Sequence, residues 1–301
     1  ARSQRDTGIT SGRRRFIVKN LIEVQNLCKC YEDFTLEDIH LSVPAGCIVG
    51  LIGENGAGKT TTLKAILNII RPDQGIIRLM GLSPEDPASR LQVGTVFEDS
   101  YFHDQLSPRQ VCKIMNHIFP SWDPSLFDTY CTRFNLPDRK PIGQFSRGMR
   151  MKLSLATALA RHPKCLILDE ATSGLDPVVR GQMLDLFLEF IQDEECGILM
   201  SSHITDDMEK ICDQIAYIHK GRLIFQEEKD RLLENMAILK APSAEIRSLP
   251  SELVISIQQN AFGAAALVRN PNKVSRLLRG VILEPASLAE IMRFYAGGDT
   301  Q

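Results

Sequence analysis

One stretch, Gly53-Glu54-Asn55-Gly56-Ala57-Gly58-Lys59-Thr60, limits what this chain can fold into more than any other. It follows residues 47–52, an apolar run without alternation that reads as a strand buried on both faces. It precedes residues 61–70, whose spacing predicts a helix stopped by Arg71-Pro72. A glycine-rich turn between a buried strand and a helix gathers free N–H groups and the positive end of the helix dipole at one point. Phosphate is the group such a point accepts. Gly53, Gly56 and Gly58, with Asn55 and Ala57 between them, let the backbone wrap phosphate oxygens. Lys59 then reaches the outer phosphates, Thr60 offers a hydroxyl to Mg²⁺, and Thr61 stands beside it at the helix start. The string fits G-x-x-x-x-G-K-[ST], which implies a nucleoside triphosphate bound with Mg²⁺.

A second stretch, Leu166-Ile167-Leu168-Asp169-Glu170, is an apolar strand ending in two carboxylates. Such groups belong at the C-terminal edge of an open α/β sheet, where ligands sit. There Asp169 holds Mg²⁺ through its water shell and Glu170 polarises the attacking water. No guanine-reading N-K-x-D string occurs, which favours ATP over GTP. A third stretch, Phe145-Ser146-Arg147-Gly148-Met149, opens a helix, with Ser146 suited to be its N-cap.

Around these motifs the pattern alternates between strand and helix. Residues 21–24 and 34–43 read as antiparallel strands; 76–80, 93–97, 165–168, 197–201 and 214–219 read as further strands. Helical spacing over 178–192 lies between two of them. The alternation predicts a mostly parallel sheet with helices on both faces. From about 101 to 160 the pattern turns helical, cut by Pro108, Pro120, Pro124, Pro137 and Pro141, and reads as an inserted helical subdomain. Beyond about residue 229, prolines punctuate short apolar segments that end in a helix-like Ser287-Leu288-Ala289-Glu290-Ile291 run. The expected division is a flexible or appended lead over 1–20, an ATPase domain over 21–228, and a small accessory unit over 229–301.

Charge excludes some roles. The 35 Lys and Arg nearly balance the 37 Asp and Glu, so a protein that coats nucleic acid is not expected. Arg2, Arg5, Arg13, Arg14, Arg15 and Lys19 against Asp6 make the lead basic and the remainder acidic. No uncharged apolar run reaches the about 18 residues of a membrane span; the nearest, 253–268, is interrupted by Gln258, Gln259, Asn260 and Gly263. The lead lacks the apolar core of a signal peptide, so a cytoplasmic chain is expected. The eight scattered cysteines form no C-x-x-C pair and read as reduced, mostly buried thiols.

With these residues in view, residues 21–226 resemble the nucleotide-binding subunit of an ATP-binding cassette (ABC) transporter, of the single-cassette bacterial exporter type. The stations occur in order: the loop at 53–60, the signature at 145–149, Asp169-Glu170, Ser173-Gly174-Leu175-Asp176, and His203. The resemblance implies an α/β fold of the P-loop NTPase (RecA-like) kind with an antiparallel β subdomain, the helical insertion and a small C-terminal α+β unit. It implies an ATPase that powers a separate multi-span membrane permease from the cytoplasmic face of the cell membrane. Two cassettes, identical or paired, would close head to tail on ATP. Ser146 and Gly148 would then bind the γ-phosphate held by the other subunit. His203 would contact the γ-phosphate and hold the attacking water with Glu170, Asp176 would link the two sites, and Tyr31 would stack on adenine.

Two departures stand out. The family's LSGGQ reads FSRGM here, with Arg147 and Met149 at the third and fifth places. Where the family carries a Mg²⁺-sensing Gln, this chain reads Val96-Phe97-Glu98-Asp99, which puts Glu98 near the metal, with Asp99 as the competing register. Both departures, with Ser121-Trp122-Asp123-Pro124, resemble exporters of peptides, antibiotics or lipid-like compounds. A soluble regulatory or ribosome-associated cassette and an importer ATPase remain the alternatives. The stretch between Lys59 and Ser146 is too short for the long coiled coil of repair and chromosome-structure relatives.

Overall fold

A computed structural model describes residues 19–97, 102–260, 263–278 and 280–297. Nearly all of the basic lead, and the expected metal-sensing Glu98 with Asp99, lie outside the described residues.

The central sheet has six strands. β3 (Ile48–Ile52), β5 (Val93–Val96), β6 (Cys165–Asp169), β7 (Gly197–Ser202), β8 (Gln214–His219) and β9 (Arg222–Glu228) lie in the order β5-β6-β7-β3-β8-β9. All neighbours are parallel except the β8–β9 hairpin. β3, β6 and β7 are buried at every position, and period two decides which layer each side chain joins. Ile48, Ile52, Leu166, Leu168, Ile198 and Met200 enter one core. Val49, Leu51, Cys165, Ile167 and Leu199 enter the other.

The second core is closed by a three-stranded antiparallel sheet of β1 (Asn20–Cys30), β2 (Thr35–Pro44) and β4 (Gln74–Leu79), together with α1 (Lys59–Ile66). That helix is shorter than its sequence pattern suggests. Asn68 adopts a left-handed φ of 55°, and the amides of Ile69 and Ile70 turn back to Lys64 O, so the chain leaves the helix before Arg71-Pro72.

The first core is closed by α3 (Pro108–Ile118), α4 (Pro124–Arg133), α5 (Arg147–Leu159), α6 (Pro177–Phe190) and α7 (Thr205–Ile211). Pro108 and Pro124 start helices rather than interrupt them, because proline at the first helical position forfeits an amide that has no partner there. Trp122 is buried against Phe127, their ring centroids 5.2 Å apart.

The C-terminal segment builds a separate four-stranded antiparallel sheet in the order β11-β12-β10-β13, from β10 (Met236–Ala241), β11 (Val254–Asn260), β12 (Gly263–Arg269) and β13 (Ile282–Pro285). The long uncharged apolar stretch noted in the sequence is here the β11–β12 hairpin, half buried by alternation. One face of this sheet packs on a local cluster containing Ile246 from α9 (Ser243–Arg247) and Val274 from α10 (Pro271–Leu277). Its other face meets α11 (Leu288–Gly297), whose Leu288, Ile291 and Phe294 belong to the same cluster as Tyr217 and Ile211. Glu209 of α7 accepts a hydrogen bond from the Leu288 amide at 2.6 Å, and Tyr295 packs on Tyr217 at 5.6 Å. α11 is therefore shared core between the accessory sheet and the ATPase sheet.

Because Phe294 is fully buried in that shared core, Phe294→Ala is expected to cost about 3–5 kcal/mol. A single denaturation transition moved to lower denaturant is the expected observation. A shift confined to an early, separate transition, with the main one unmoved, would show that the C-terminal sheet unfolds on its own.

Candidate functional site

The site follows from strand register. Parallel pairing sets Asp169 beside Ser201 and Ile52 beside Ser202. β6, β7 and β3 are adjacent, so the residues that leave their C-terminal ends, Glu170, His203 and the loop from Gly53, emerge side by side. That edge is where an open α/β sheet holds its ligand.

The loop wraps as its glycines permit. A β-carbon on Gly53 would meet Ile218 O at 2.3 Å, so the loop can lie this close to β8 only with glycine there. Gly58 has a φ of 111° and lies against Leu36 and Phe34, which leaves no room for a side chain either. Lys59 is almost fully buried, and its Nζ donates to Gly53 O at 2.9 Å and Glu54 O at 3.2 Å. The same ammonium is 3.7 Å from Glu170 Oε1. The turn of β8 into β9 braces the loop, since Gly221 N donates to Ala57 O at 3.0 Å.

Ser201, fully buried, organises the carboxylates. Its hydroxyl donates to Asp169 Oδ1 at 2.5 Å and accepts from the Glu170 amide at 3.2 Å. A hydrogen bond of that length to a carboxylate is charge-assisted and strong. The Glu170 amide also reaches Ser201 O at 3.1 Å, which secures a backbone with φ of 52°. A left-handed glutamate is a strained arrangement of the kind found at functional sites, and the two bonds from its amide hold it. Glu170 Oε2 lies 2.8 Å from His203 Nδ1.

Together these groups line a cleft of about 600 Å³ bounded by Asn55, Gly56, Gly58, Lys59, Thr60, Thr61, Glu170 and His203. Four further residues on the wall had no site role from the sequence: Asp33 and Phe34, and Glu54 and Ser173 within the motifs already named. Tyr31, the aromatic expected there, is 46% exposed beneath the Lys29 ammonium and lies outside the lining. Phe34 is the aromatic on the wall; the turn that bonds Tyr31 N to Phe34 O brings both rings to this edge. The signal for Phe34 was its place opening the strand over 34–43. Ser146, Gly148 and Asp176 are outside the cleft as well. Ser146 caps α5 by accepting from Met149 N at 3.2 Å, and Asp176 caps α6 by accepting from Val178 N and Val179 N at 3.1 and 3.0 Å.

The donor set fits Mg²⁺ bound with phosphate. Thr60 offers a hydroxyl on the cleft wall. Asp169 offers a carboxylate buried at the end of β6, one residue before the lining Glu170 and not itself on the wall. Among the described residues no cluster of three metal-ligating side chains exists to hold an ion alone. Mg²⁺ is commonly held this way, by one or two protein oxygens plus phosphates and water.

The family described as ABC transporter matches residues 36–173. The chain is 31% identical over 216 residues to the ABC transporter ATP-binding protein YtrB of Bacillus subtilis, spanning 71% of this chain and 74% of YtrB. The chain belongs to the ABC transporter ATP-binding family. It is 32% identical over 213 residues to the bacitracin transport ATP-binding protein BcrA of Enterococcus faecalis, covering 69% of each chain. A solved structure described as the ATP binding subunit of an ABC transporter superposes with a TM-score of 0.63 at 27% identity, covering 71% of this chain and 92% of its own. The expected α/β cassette fold is thereby found, and this ABC subunit is an ATPase that uses ATP with Mg²⁺.

Ser201, without a role from the sequence alone, holds the Asp169 carboxylate and the Glu170 amide together. Ser201→Ala is expected to raise the Mg²⁺ concentration needed for half-maximal ATP hydrolysis by about 10- to 100-fold. A Mg²⁺ titration of turnover checks it, and an unchanged curve would remove Ser201 from the metal's support.

Proposed function

We propose that this chain powers a separate membrane permease by binding and hydrolysing ATP as one of two cassettes that close head to tail. The observation that carries the reading is Glu170 held between His203 at 2.8 Å and Lys59 at 3.7 Å, on the wall of the phosphate-sized cleft. Lys59 neutralises the outer phosphates, and its present contacts with Gly53 O and Glu54 O keep it aimed across the loop mouth. Gly53, Asn55, Gly56, Ala57, Gly58 and Thr61 cradle the phosphates, and the adenine packs at the turn that carries Tyr31 and Phe34. Thr60 and Asp169 would hold Mg²⁺, which supplies charge neutralisation on the phosphate oxygens when bound. Glu170 accepts the proton of the attacking water, and His203 orients that water and the γ-phosphate.

Ser146 supports the two-cassette part of the reading. Its oxygen is engaged in capping, but a hydroxyl still has a proton to donate. That proton and the amide of Gly148 are offered at the start of α5 to the γ-phosphate of the facing subunit. Asp176, which caps α6, links the two sites from the same surface.

Export is the direction supported by the departures at the signature and at position 98, and by relatives described as bacitracin and lantibiotic transport ATP-binding proteins. Among the described residues no helix is long and apolar enough to cross a membrane, and this reading assigns the span to the permease. The working place in this reading is the cytoplasmic face of the cell membrane.

Tagging the chain in its native cell, solubilising membranes gently and identifying what co-purifies tests this proposal. A multi-span membrane protein in stoichiometric amount is the expected result. Recovery only from the soluble fraction, with ribosomal or regulatory partners, would leave ATP hydrolysis standing and overturn transport.

A further inference from the structure

Asp207 has no part in the chemistry described so far, yet it is a carboxylate with 1% exposure in the first turn of α7. Burial of a charge is costly unless a partner compensates it. The described partner is Arg180 of α6, whose Nε lies 4.0 Å from Asp207 Oδ2. Both atoms are buried and neither makes a hydrogen bond among the described residues. The two charges therefore face each other just beyond hydrogen-bond length, which is 2.7–3.2 Å for such a pair.

Arg180 has a second attachment. Its Nη2 donates to Leu175 O at 3.3 Å, in the loop that runs from Glu170 to Asp176. That loop is gripped from the other side too, because the Arg147 guanidinium of α5 lies against Gly174. On the far side of the pair, α7 begins two residues after His203. Arg180 thus touches the loop that follows Glu170 and faces the helix that follows His203.

We propose that Arg180 is a positioning residue for hydrolysis, joining the loop after Glu170 to the helix after His203 through its bond to Leu175 O and its charge pair with Asp207. The proposal rests on the roles assigned above to Glu170 and His203. A relative movement of about 1 Å between α6 and α7 converts the facing charges into a charge-assisted hydrogen bond. Two spacings are then available, one with the two loops loosely related and one with them locked. A guanidinium suits the task because its rigid fork serves a carbonyl and a carboxylate at once. Asp207 suits it because it is buried and its Oδ2 has no hydrogen-bond partner among the described residues. Locking fixes His203 relative to Glu170 and leaves the phosphate-binding loop unaltered, so the pair acts on turnover and not on nucleotide affinity.

The test is a kinetic cycle on the full chain with ATP and Mg²⁺. Arg180→Met with Asp207→Leu removes both charges, which a core tolerates better than loss of one. The expected result is a fall in kcat of about tenfold with KM for ATP within about twofold. His203→Ala is expected to lower kcat further, and adding the pair substitution to it is expected to cost nothing more, since the pair works through His203. Unchanged kcat in the pair variant would overturn the proposal. So would losses that simply multiply when the pair and His203 substitutions are combined. If the pair variant fails to fold, Arg180→Lys keeps the buried charge without the fork; full kcat in that variant also overturns the proposal. Unimpaired turnover in His203→Ala alone would instead strike the reading of His203 itself, which separates the two failures.

Discussion

The register of three parallel strands fixes everything else in this molecule. With Asp169 level with Ser201, and Leu51 and Ile52 level with Ser201 and Ser202, the ends of β6, β7 and β3 are flush. A one-residue slip would turn every side chain to the opposite core, exchanging Ile167 for Leu168 and burying Ser201's neighbours wrongly. The two apolar layers therefore hold the register, and the register holds the chemistry. Ser201 is where the two meet: a fully buried polar residue in a strand otherwise spent on packing, bonded to one carboxylate and to the amide of the next residue.

Much of this was legible from the chain. The Gly-Lys-Thr loop, the strand ending in Asp169-Glu170 and the histidine at 203 are local strings whose chemistry is carried by residue type. The parallel sheet was legible because short, mostly apolar strands alternate with helices along the chain. What the sequence hid was relational. Nothing in the residues 197–202 marks Ser201 as the partner of Asp169, since that contact exists only once β6 and β7 pair. Tyr31 and Phe34 are equivalent as letters, and only the turn between them decides that Phe34 lines the cleft. Asn68 ended α1 early by a left-handed turn that a helical hydrophobic pattern does not announce. For the C-terminal unit the α+β character and the closing helix were expected, but not the strand order, and not that the helix covering one face belongs equally to the central core.

The loops beyond the strand ends are tied to helices and not left to themselves. Asp176 and Ser146 cap α6 and α5, Arg147 lies against Gly174, and Arg180 reaches both Leu175 and the neighbourhood of Asp207. Helix caps and buried charges at these points tie α5, α6 and α7 to the loops that follow the strand ends. The β8–β9 hairpin does the same from the other side, bonded to the phosphate loop at Ala57 and packed on α11 through Tyr217 and Phe225. An ATPase whose purpose is motion requires this kind of attachment between its reacting groups and its helices.

The claim at the centre of this account is that Glu170 is the base of a site already assembled by strand register. Replacing Glu170 with Gln keeps the side chain's size and removes its basicity. Measured side by side, ATP binding and ATP turnover in that variant decide the matter. The account predicts binding retained, turnover reduced by about 10²- to 10⁴-fold, and a stable ATP-dependent dimer in sedimentation. Turnover at the unsubstituted rate, with binding intact, would contradict it.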